Sequence, residues 1–144
     1  MKRLLRTATG VHVWLYRATN GRIGGRIRKA PILLLTTIGR TSGRARTAPL
    51  SYLEVGKRIA ICGANLGSDR PSGWLRNLDQ DPQVRVRIGG REFTALARIT
   101  ELEERNVLWP RMIDRLPALR TYQARTARVL PVIVLEPNNQ HPGS

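Results

Sequence analysis

The alternation of apolar and polar residues predicts a chain built mainly from strands. Residues 31–37 form an almost continuous apolar run, which is typical of a strand buried on both faces. Val84, Val86 and Ile88 alternate with arginines, which is the pattern of a half-buried strand. Gly89-Gly90 follows and is a two-residue hairpin signal. Further strands are predicted at residues 47–54, 58–64, 91–99 and 129–135.

Helix-period patterns and start signals place helices among these strands. Helices are predicted at residues 1–18, 72–78 and 117–126. Thr100-Glu-Leu-Glu103 fits a capping box that opens a further helix through Trp109, and Pro110 is expected to kink or restart it. The order of elements favours an α+β fold that is mainly β. The expected architecture is an antiparallel sheet closed or half closed into a small barrel, with an N-terminal helix and further helices packed outside.

The predicted N-terminal helix is amphipathic and basic. Leu4, Leu5, Val11, Trp14 and Leu15 fall on one side, and the basic residues lie away from it. Such a helix fits a membrane surface. An ordinary amphipathic helix that covers a sheet has the same pattern, so both interpretations stay open.

The charge of the chain narrows the classes of partner. Its 144 residues include 25 basic and 10 acidic ones, for a net charge of +15. This balance favours a polyanion, which can be nucleic acid, anionic lipid or a multiply charged small molecule. The single cysteine, Cys62, follows an apolar run and is expected to be buried and inert. Neither histidine has a partner at metal-ligand spacing, so no metal site is expected. Without a signal peptide or a membrane-spanning run, the expected location is cytoplasmic.

The loop of residues 39–46, called here the arginine loop, carries the most specific chemistry. It holds Arg40, Arg44 and Arg46 together with two glycines, a threonine and a serine. Glycines let backbone N–H groups turn toward a ligand, and arginines supply forked donors that match phosphate oxygens. The loop therefore predicts an anion cradle, although its spacing is not that of a P-loop or a Rossmann turn. The alternative is a solvated hairpin tip.

Several segments together resemble the deazaflavin-dependent nitroreductase family. Residues 35–46 (LTTIGRTSGRAR), followed by Pro49-Leu50, are similar to the signature loop of that family. Residues 74–82 (WLRNLDQDP) and 130–137 (LPVIVLEP) are similar to two later family segments. The resemblance covers roughly residues 10 to 137, in order.

The resemblance implies a split β-barrel that binds coenzyme F-420, an 8-hydroxy-5-deazaflavin with a phosphodiester and an oligoglutamate tail. Members are actinobacterial reductases of quinones and nitro compounds, and some associate with membranes. The implied organisation is an N-terminal helix over residues 1–20, a coenzyme-binding barrel over 21–137 and a polar tail over 138–144. Hydride transfer is the coenzyme's own chemistry, so no triad or metal is required.

The resemblance also implies which residues hold the coenzyme, in four groups. The first group holds the phosphate: Arg40, Thr41, Ser42 and Arg46. The second runs along the deazaflavin edge: Thr47, Ala48, Pro49, Leu50 and Ser51. The third presents backbone groups to the ring: Cys62, Gly63, Ala64 and Asn65. The fourth lines the coenzyme from the short helix: Gly73, Trp74, Leu75, Arg76 and Asn77. The alternatives are a core aromatic for Trp74 and a helix C-terminal cap for Asn77.

The residues implied on the acceptor side depart from the nitroimidazole-reducing members. Ser51 stands where those members carry a tyrosine, and Leu119 and Arg125 replace two further aromatics, whereas Tyr122 is retained. We therefore expect a quinone acceptor, poor reduction of nitroimidazoles, and Tyr122 as the donor to the acceptor oxygen. The alternative for Tyr122 is a packing residue.

Other functions share parts of this evidence. The charge and the arginines at residues 85 and 87 fit a small barrel that binds nucleic acid, but the seven aromatic residues are scattered, so no nucleic acid is expected. A flavin mononucleotide (FMN) oxidoreductase on the same barrel and a coenzyme carrier without catalysis are further alternatives. The oligomeric state is left open.

Overall fold

The computed structural model describes residues 26–27 and 30–138, with side chains from residue 31 onward. The helix predicted at residues 1–18 and almost all of the predicted tail lie outside the described residues.

The described residues form an antiparallel sheet of eight strands with three helices. The strands are β1 (Arg26–Ile27), β2 (Ala30–Ile38), β3 (Ala45–Ser51), β4 (Leu53–Val55), β5 (Arg58–Cys62), β6 (Gln83–Ile88), β7 (Arg91–Ile99) and β8 (Val132–Pro137). The helices are α1 (Gly73–Gln80), α2 (Leu102–Arg115) and α3 (Ala118–Ala124). The strand order is β1-β2-β6-β7-β8-β5-β4, and β3 pairs with β2. The expected α+β fold with an antiparallel, half-closed sheet is confirmed.

The two larger hydrophobic cores lie on opposite faces of this sheet, because successive side chains of a strand point to opposite faces. The inner core joins alternate residues of β2, β5, β6, β7 and β8 to α1, among them Leu33, Leu35, Ile61, Val86, Ile133, Leu135, Trp74, Leu75 and Leu78. The outer core joins the intervening residues of β5 and β8 to α2 and α3, among them Ala60, Cys62, Val132, Val134, Leu108, Met112 and Leu119. The sheet thus separates α1 from the other two described helices.

The strand predicted over residues 47–54 is wrong as a single element. The structure divides it at Tyr52, whose N–H donates to the carbonyl of Pro31 (3.3 Å). β3 before this point pairs with β2, whereas β4 after it pairs with β5, with Leu53 opposite Ala60. The apolar pattern runs on through the break because the buried Tyr52 ring belongs to the inner core.

The capping box predicted at Thr100 is also wrong. The Thr100 hydroxyl and backbone N–H both donate to the carbonyl of Val132 (2.9 Å each), so this residue still belongs to the edge of the sheet. The helix starts at Leu102 with Glu101 as N-cap, and it continues through Pro110 to Arg115. Pro110 lies on the exposed side, where water can satisfy the carbonyl that loses its partner.

Candidate functional site

The arginine loop forms a tight connection between β2 and β3. The Gly39 N–H donates to the carbonyl of Arg44 (2.7 Å), and the Gly43 N–H donates back to the carbonyl of Gly39 (2.8 Å). The Ser42 hydroxyl accepts from the Arg44 N–H (3.2 Å). Gly43 has φ +68°, which favours glycine, and a Cβ on Gly39 would lie 2.6 Å from Ser42 Oγ. The glycines are therefore needed for the shape of the loop.

Asn77 connects the arginine loop to α1. Its Oδ1 accepts from the Arg40 backbone N–H (3.1 Å) and from Arg40 Nη1 (3.0 Å), and its Nδ2 donates to Thr37 Oγ1 (3.0 Å). Asn77 is 3% exposed and Thr37 is fully buried. Arg40 Nη1 also lies 3.4 Å from the carbonyl of Gly73. The Asn77 side chain bonds to Arg40 and Thr37 and not to the end of its own helix. The alternative interpretation of Asn77 as a helix C-terminal cap therefore does not describe these contacts.

The corner formed by the arginine loop and the start of α1 is rich in unpaired positive charge. Arg40, Arg44, Arg46 and Arg76 are exposed, and none of them forms an ion pair with a carboxylate of residues 30–138. Ser72, the N-cap of α1, has a buried hydroxyl oxygen with no hydrogen-bond partner in that part of the chain. Guanidinium groups and a spare hydroxyl beside a helix N-terminus suit a phosphate, so the donor set fits the phosphodiester of the implied coenzyme.

The segment after β5, residues 63–68, is called here the β5 loop, and its first residue approaches α1. The Gly63 N–H donates to the carbonyl of Pro131 (2.9 Å). A Cβ on Gly63 would lie 2.9 Å from Leu75 Cδ2 and 3.0 Å from Pro131 Cγ, so a larger residue here would require these side chains to shift. The first, third and fourth groups of predicted coenzyme residues therefore meet at α1, although they are far apart in the sequence.

The second group lies on β3. Its five residues are half-buried, and Ala48 and Leu50 pack against the inner core. The Thr47 and Thr36 hydroxyls lie 2.8 Å apart across the β2–β3 pair.

Two of the predicted coenzyme residues have their side chains inside the protein. Trp74 is 8% exposed and belongs to the inner core, so a core aromatic describes its contacts in the structure. The Cys62 side chain lies in the outer core, where burial raises the pKa of the thiol to about 12 against the opposing effect of Arg105 and Arg128. The prediction of a buried thiol is confirmed, and the backbone of Cys62 is the part that the site can use.

The sequence reasoning missed two arginines that hold the β5 loop. The Arg128 guanidinium donates to the carbonyls of Gly63 (3.1 Å), Ala64 (3.2 Å) and Ser68 (2.9 Å). Arg125 Nη1 donates to the carbonyl of Leu66 (3.2 Å). No periodicity or motif connects these positions, because the contacts join residues about 60 positions apart.

Tyr122 lies on α3, which packs against the β5 loop at Gly67. Its ring is half-buried and packs against the outer core, and the Arg125 guanidinium lies 5.6 Å from the ring centroid. The Tyr122 carbonyl oxygen would lie 2.6 Å from a Cβ on Gly67, which has φ +81°. Within the described residues its hydroxyl has no hydrogen-bond partner.

The described residues hold neither a metal-binding cluster nor a membrane-spanning helix. They contain no group of three or more His, Cys, Asp or Glu residues that could hold a metal ion. None of their helices is both long and apolar enough to cross a membrane.

Comparison with known proteins identifies the relatives of this chain. The family model of the F420H(2)-dependent quinone reductases matches residues 8–137. An F420H(2)-dependent quinone reductase of Mycobacterium tuberculosis is 37% identical over 130 residues, which cover 87% of each chain. A solved F420-H2 dependent reductase is 33% identical with a TM-score of 0.68, covering 74% of this chain and 94% of the other. A further solved structure, described as a domain-swapped dimer, is 28% identical with a TM-score of 0.70 and covers 94% of this chain and 98% of the other.

The family match, the identity and the fold agree with one another. The match spans nearly all of the described residues, including the arginine loop, the β5 loop, α1 and Tyr122. The chain therefore belongs to the F420H(2)-dependent quinone reductase family.

Proposed function

We propose that this protein transfers hydride from reduced coenzyme F-420 to a quinone. Membership of the family makes the chain a deazaflavin-dependent oxidoreductase. The single observation that carries the proposal for this chain is that the arginine loop and the β5 loop both meet α1, while the exposed arginines of the arginine loop form no ion pair with a carboxylate of residues 30–138.

Different groups of residues bind different parts of the coenzyme. Arg40, Thr41, Ser42 and Arg46 hold the phosphate, together with the Ser72 hydroxyl, which has no hydrogen-bond partner in the described residues. The β3 residues 47–51 and the backbone of residues 62–65 hold the ring, and α1 lines it from Gly73 to Asn77. The coenzyme, when bound, supplies the hydride.

On the acceptor side, Tyr122 is proposed to donate a hydrogen bond or a proton to the quinone oxygen that gains negative charge. Its position against the β5 loop supports this role, as does its hydroxyl, which has no hydrogen-bond partner in the described residues. Ser51 and Leu119 offer fewer polar contacts to orient a nitro compound than the tyrosines they replace, so we propose nitroimidazoles as poor substrates.

The cellular setting is part of the same proposal. A cytoplasmic enzyme that touches the membrane surface through residues 1–20 would reach quinones dissolved in the lipid. The basic and apolar sequence of that segment supports this setting.

The proposal is tested by fluorescence titration with oxidised coenzyme F-420, beside FMN and single-stranded RNA. We expect micromolar binding of the deazaflavin, about −8 kcal/mol, with FMN at least about tenfold weaker. Equal affinity for FMN would favour the flavin alternative. Binding of RNA alone would favour a nucleic-acid barrel. If wild-type protein binds the coenzyme, oxidation of the reduced form by menadione then tests the reaction.

A further inference from the structure

One side chain, that of Arg128, donates to three of the backbone carbonyls of the β5 loop. Arg128 donates four hydrogen bonds, one each to the carbonyls of Gly63 and Ala64 and two to that of Ser68. The carbonyl of Ala64 accepts a further bond from the Gly67 N–H (2.9 Å), and that of Asn65 accepts from the Ser68 N–H (3.0 Å). All of these carbonyls are therefore fixed.

A fixed carbonyl also fixes the N–H of the same peptide unit. The peptide is planar and trans, so its N–H points opposite to its C=O. Because Arg128 holds the carbonyls of Gly63 and Ala64, the N–H groups of Ala64 and Asn65 point away from Arg128. Neither N–H has a hydrogen-bond partner in the described part of the chain.

The backbone angles bring these two donors together. Ala64 has φ −78° and ψ −36°, in the right-handed region, and Asn65 has φ +45°, in the left-handed region. Consecutive residues in these two conformations form a concave nest of N–H groups that accepts a negatively charged or electron-rich atom. Leu66 continues the left-handed turn with φ +57°, and its carbonyl is held by Arg125.

From this arrangement, and resting on the proposed function, we propose that Arg128 is a positioning residue for the coenzyme. By holding the two carbonyls, it turns the N–H groups of Ala64 and Asn65 toward an electron-rich atom of the deazaflavin ring. A cation on the carbonyl side also polarises each peptide, which strengthens its N–H as a donor. Arginine suits this role because its planar fork reaches three carbonyls at once, which a lysine ammonium on a flexible stem does not reproduce.

The test compares Arg128→Met and Arg128→Lys with Arg120→Met, an exposed arginine of α3 whose side chain has no partner in the described residues. In the free protein, Arg128→Met should speed amide exchange at Gly67 and Ser68, whose acceptors lie in the released loop. In the loaded protein, it should weaken coenzyme binding about tenfold and shift the absorption band of bound deazaflavin toward its position in water. Arg128→Lys should fall between, and Arg120→Met should match the wild type.

The outcomes separate this inference from the proposed function. If wild-type protein does not bind the deazaflavin, the proposed function fails and this inference fails with it. If the wild type binds but Arg128→Met keeps the same affinity and absorption band, only this inference is overturned. A loss of thermal stability with an unchanged absorption band would make Arg128 purely structural. If Arg128→Met does not fold, the same two readouts on Arg128→Lys decide.

Discussion

At the scale of single residues, the arginine loop brings exposed positive charge to the proposed coenzyme site. Arg40→Ala and Arg46→Ala should each weaken coenzyme binding by about 1.5–3 kcal/mol, which is the range for hydrogen bonds to charged groups. The circular dichroism spectrum should persist, because both side chains are exposed. Fluorescence titration measures the effect, and Arg111→Ala, an exposed arginine on α2, is the control. Normal binding by both variants would make the loop a solvated hairpin tip.

A substitution at Tyr122 tests whether this residue has a chemical role or only a packing role. Tyr122→Phe keeps the ring in the outer core and removes only the hydroxyl, which has no partner in the described residues. We expect quinone turnover to fall roughly tenfold or more, with coenzyme affinity nearly unchanged. Steady-state kinetics with saturating reduced coenzyme measure this. Unchanged turnover assigns Tyr122 to packing, and faster reduction of nitroimidazoles than of quinones contradicts the proposed acceptor.

At the scale of elements, the join between the arginine loop and α1 depends on Asn77. Asn77→Ala removes three hydrogen bonds and leaves the buried Thr37 hydroxyl without the amide donor. The free energy of unfolding should fall by about 2 kcal/mol, because a buried polar group that loses its partner costs about 1–3 kcal/mol. Coenzyme affinity should fall as well, since Arg40 loses its support. Urea denaturation measures the first effect, and Asn106→Ala on the exposed side of α2 is the control. Equal stability of the two variants would contradict the role of Asn77.

The strands and helices also show how much of the fold can be predicted from the sequence alone. β6 and β7 follow from strict alternation around Gly89-Gly90, and β2 follows from its apolar run, because each signal lies within a few neighbouring residues. The break at Tyr52 and the start of α2 were missed, since both depend on a partner elsewhere in the fold: the carbonyls of Pro31 and Val132. The assignment of segments to the coenzyme rests on the family resemblance and stays a prediction. The contacts of Asn77 and Arg128 could not be predicted, because they join distant segments.

At the scale of the whole molecule, the sheet has a large core on each face. The pKa of the Cys62 thiol depends on its burial in the outer core. The pKa of its thiol is about 12 in the folded protein against an ordinary value of 9.0. Above pH 9 the unfolded chain loses this proton first, so the folded state loses relative stability as pH rises from 9 toward 12.

The loss of stability can be assigned to this thiol by comparison with a variant. Between these pH values the thiol should contribute a slope of up to about 1.4 kcal/mol per pH unit in the free energy of unfolding. Urea denaturation of wild type and Cys62→Ala across this range isolates the contribution, because all other titrating groups are shared. Parallel pH profiles for the two proteins would contradict the burial of Cys62.

The hydrogen bonds from Arg125 and Arg128 to the β5 loop have a consequence for how this enzyme can change over evolution. Both arginines follow Tyr122 within six positions, so the segment proposed to face the acceptor also shapes the backbone proposed to face the coenzyme. A mutation in this segment that improves the reduction of one acceptor would also disturb the β5 loop, which the enzyme uses with every acceptor. Substitutions in residues 119–128 and 63–68 are therefore expected to be epistatic, because residues that share partners do not contribute additively. New acceptor specificities in this lineage should arise through paired changes in the two segments.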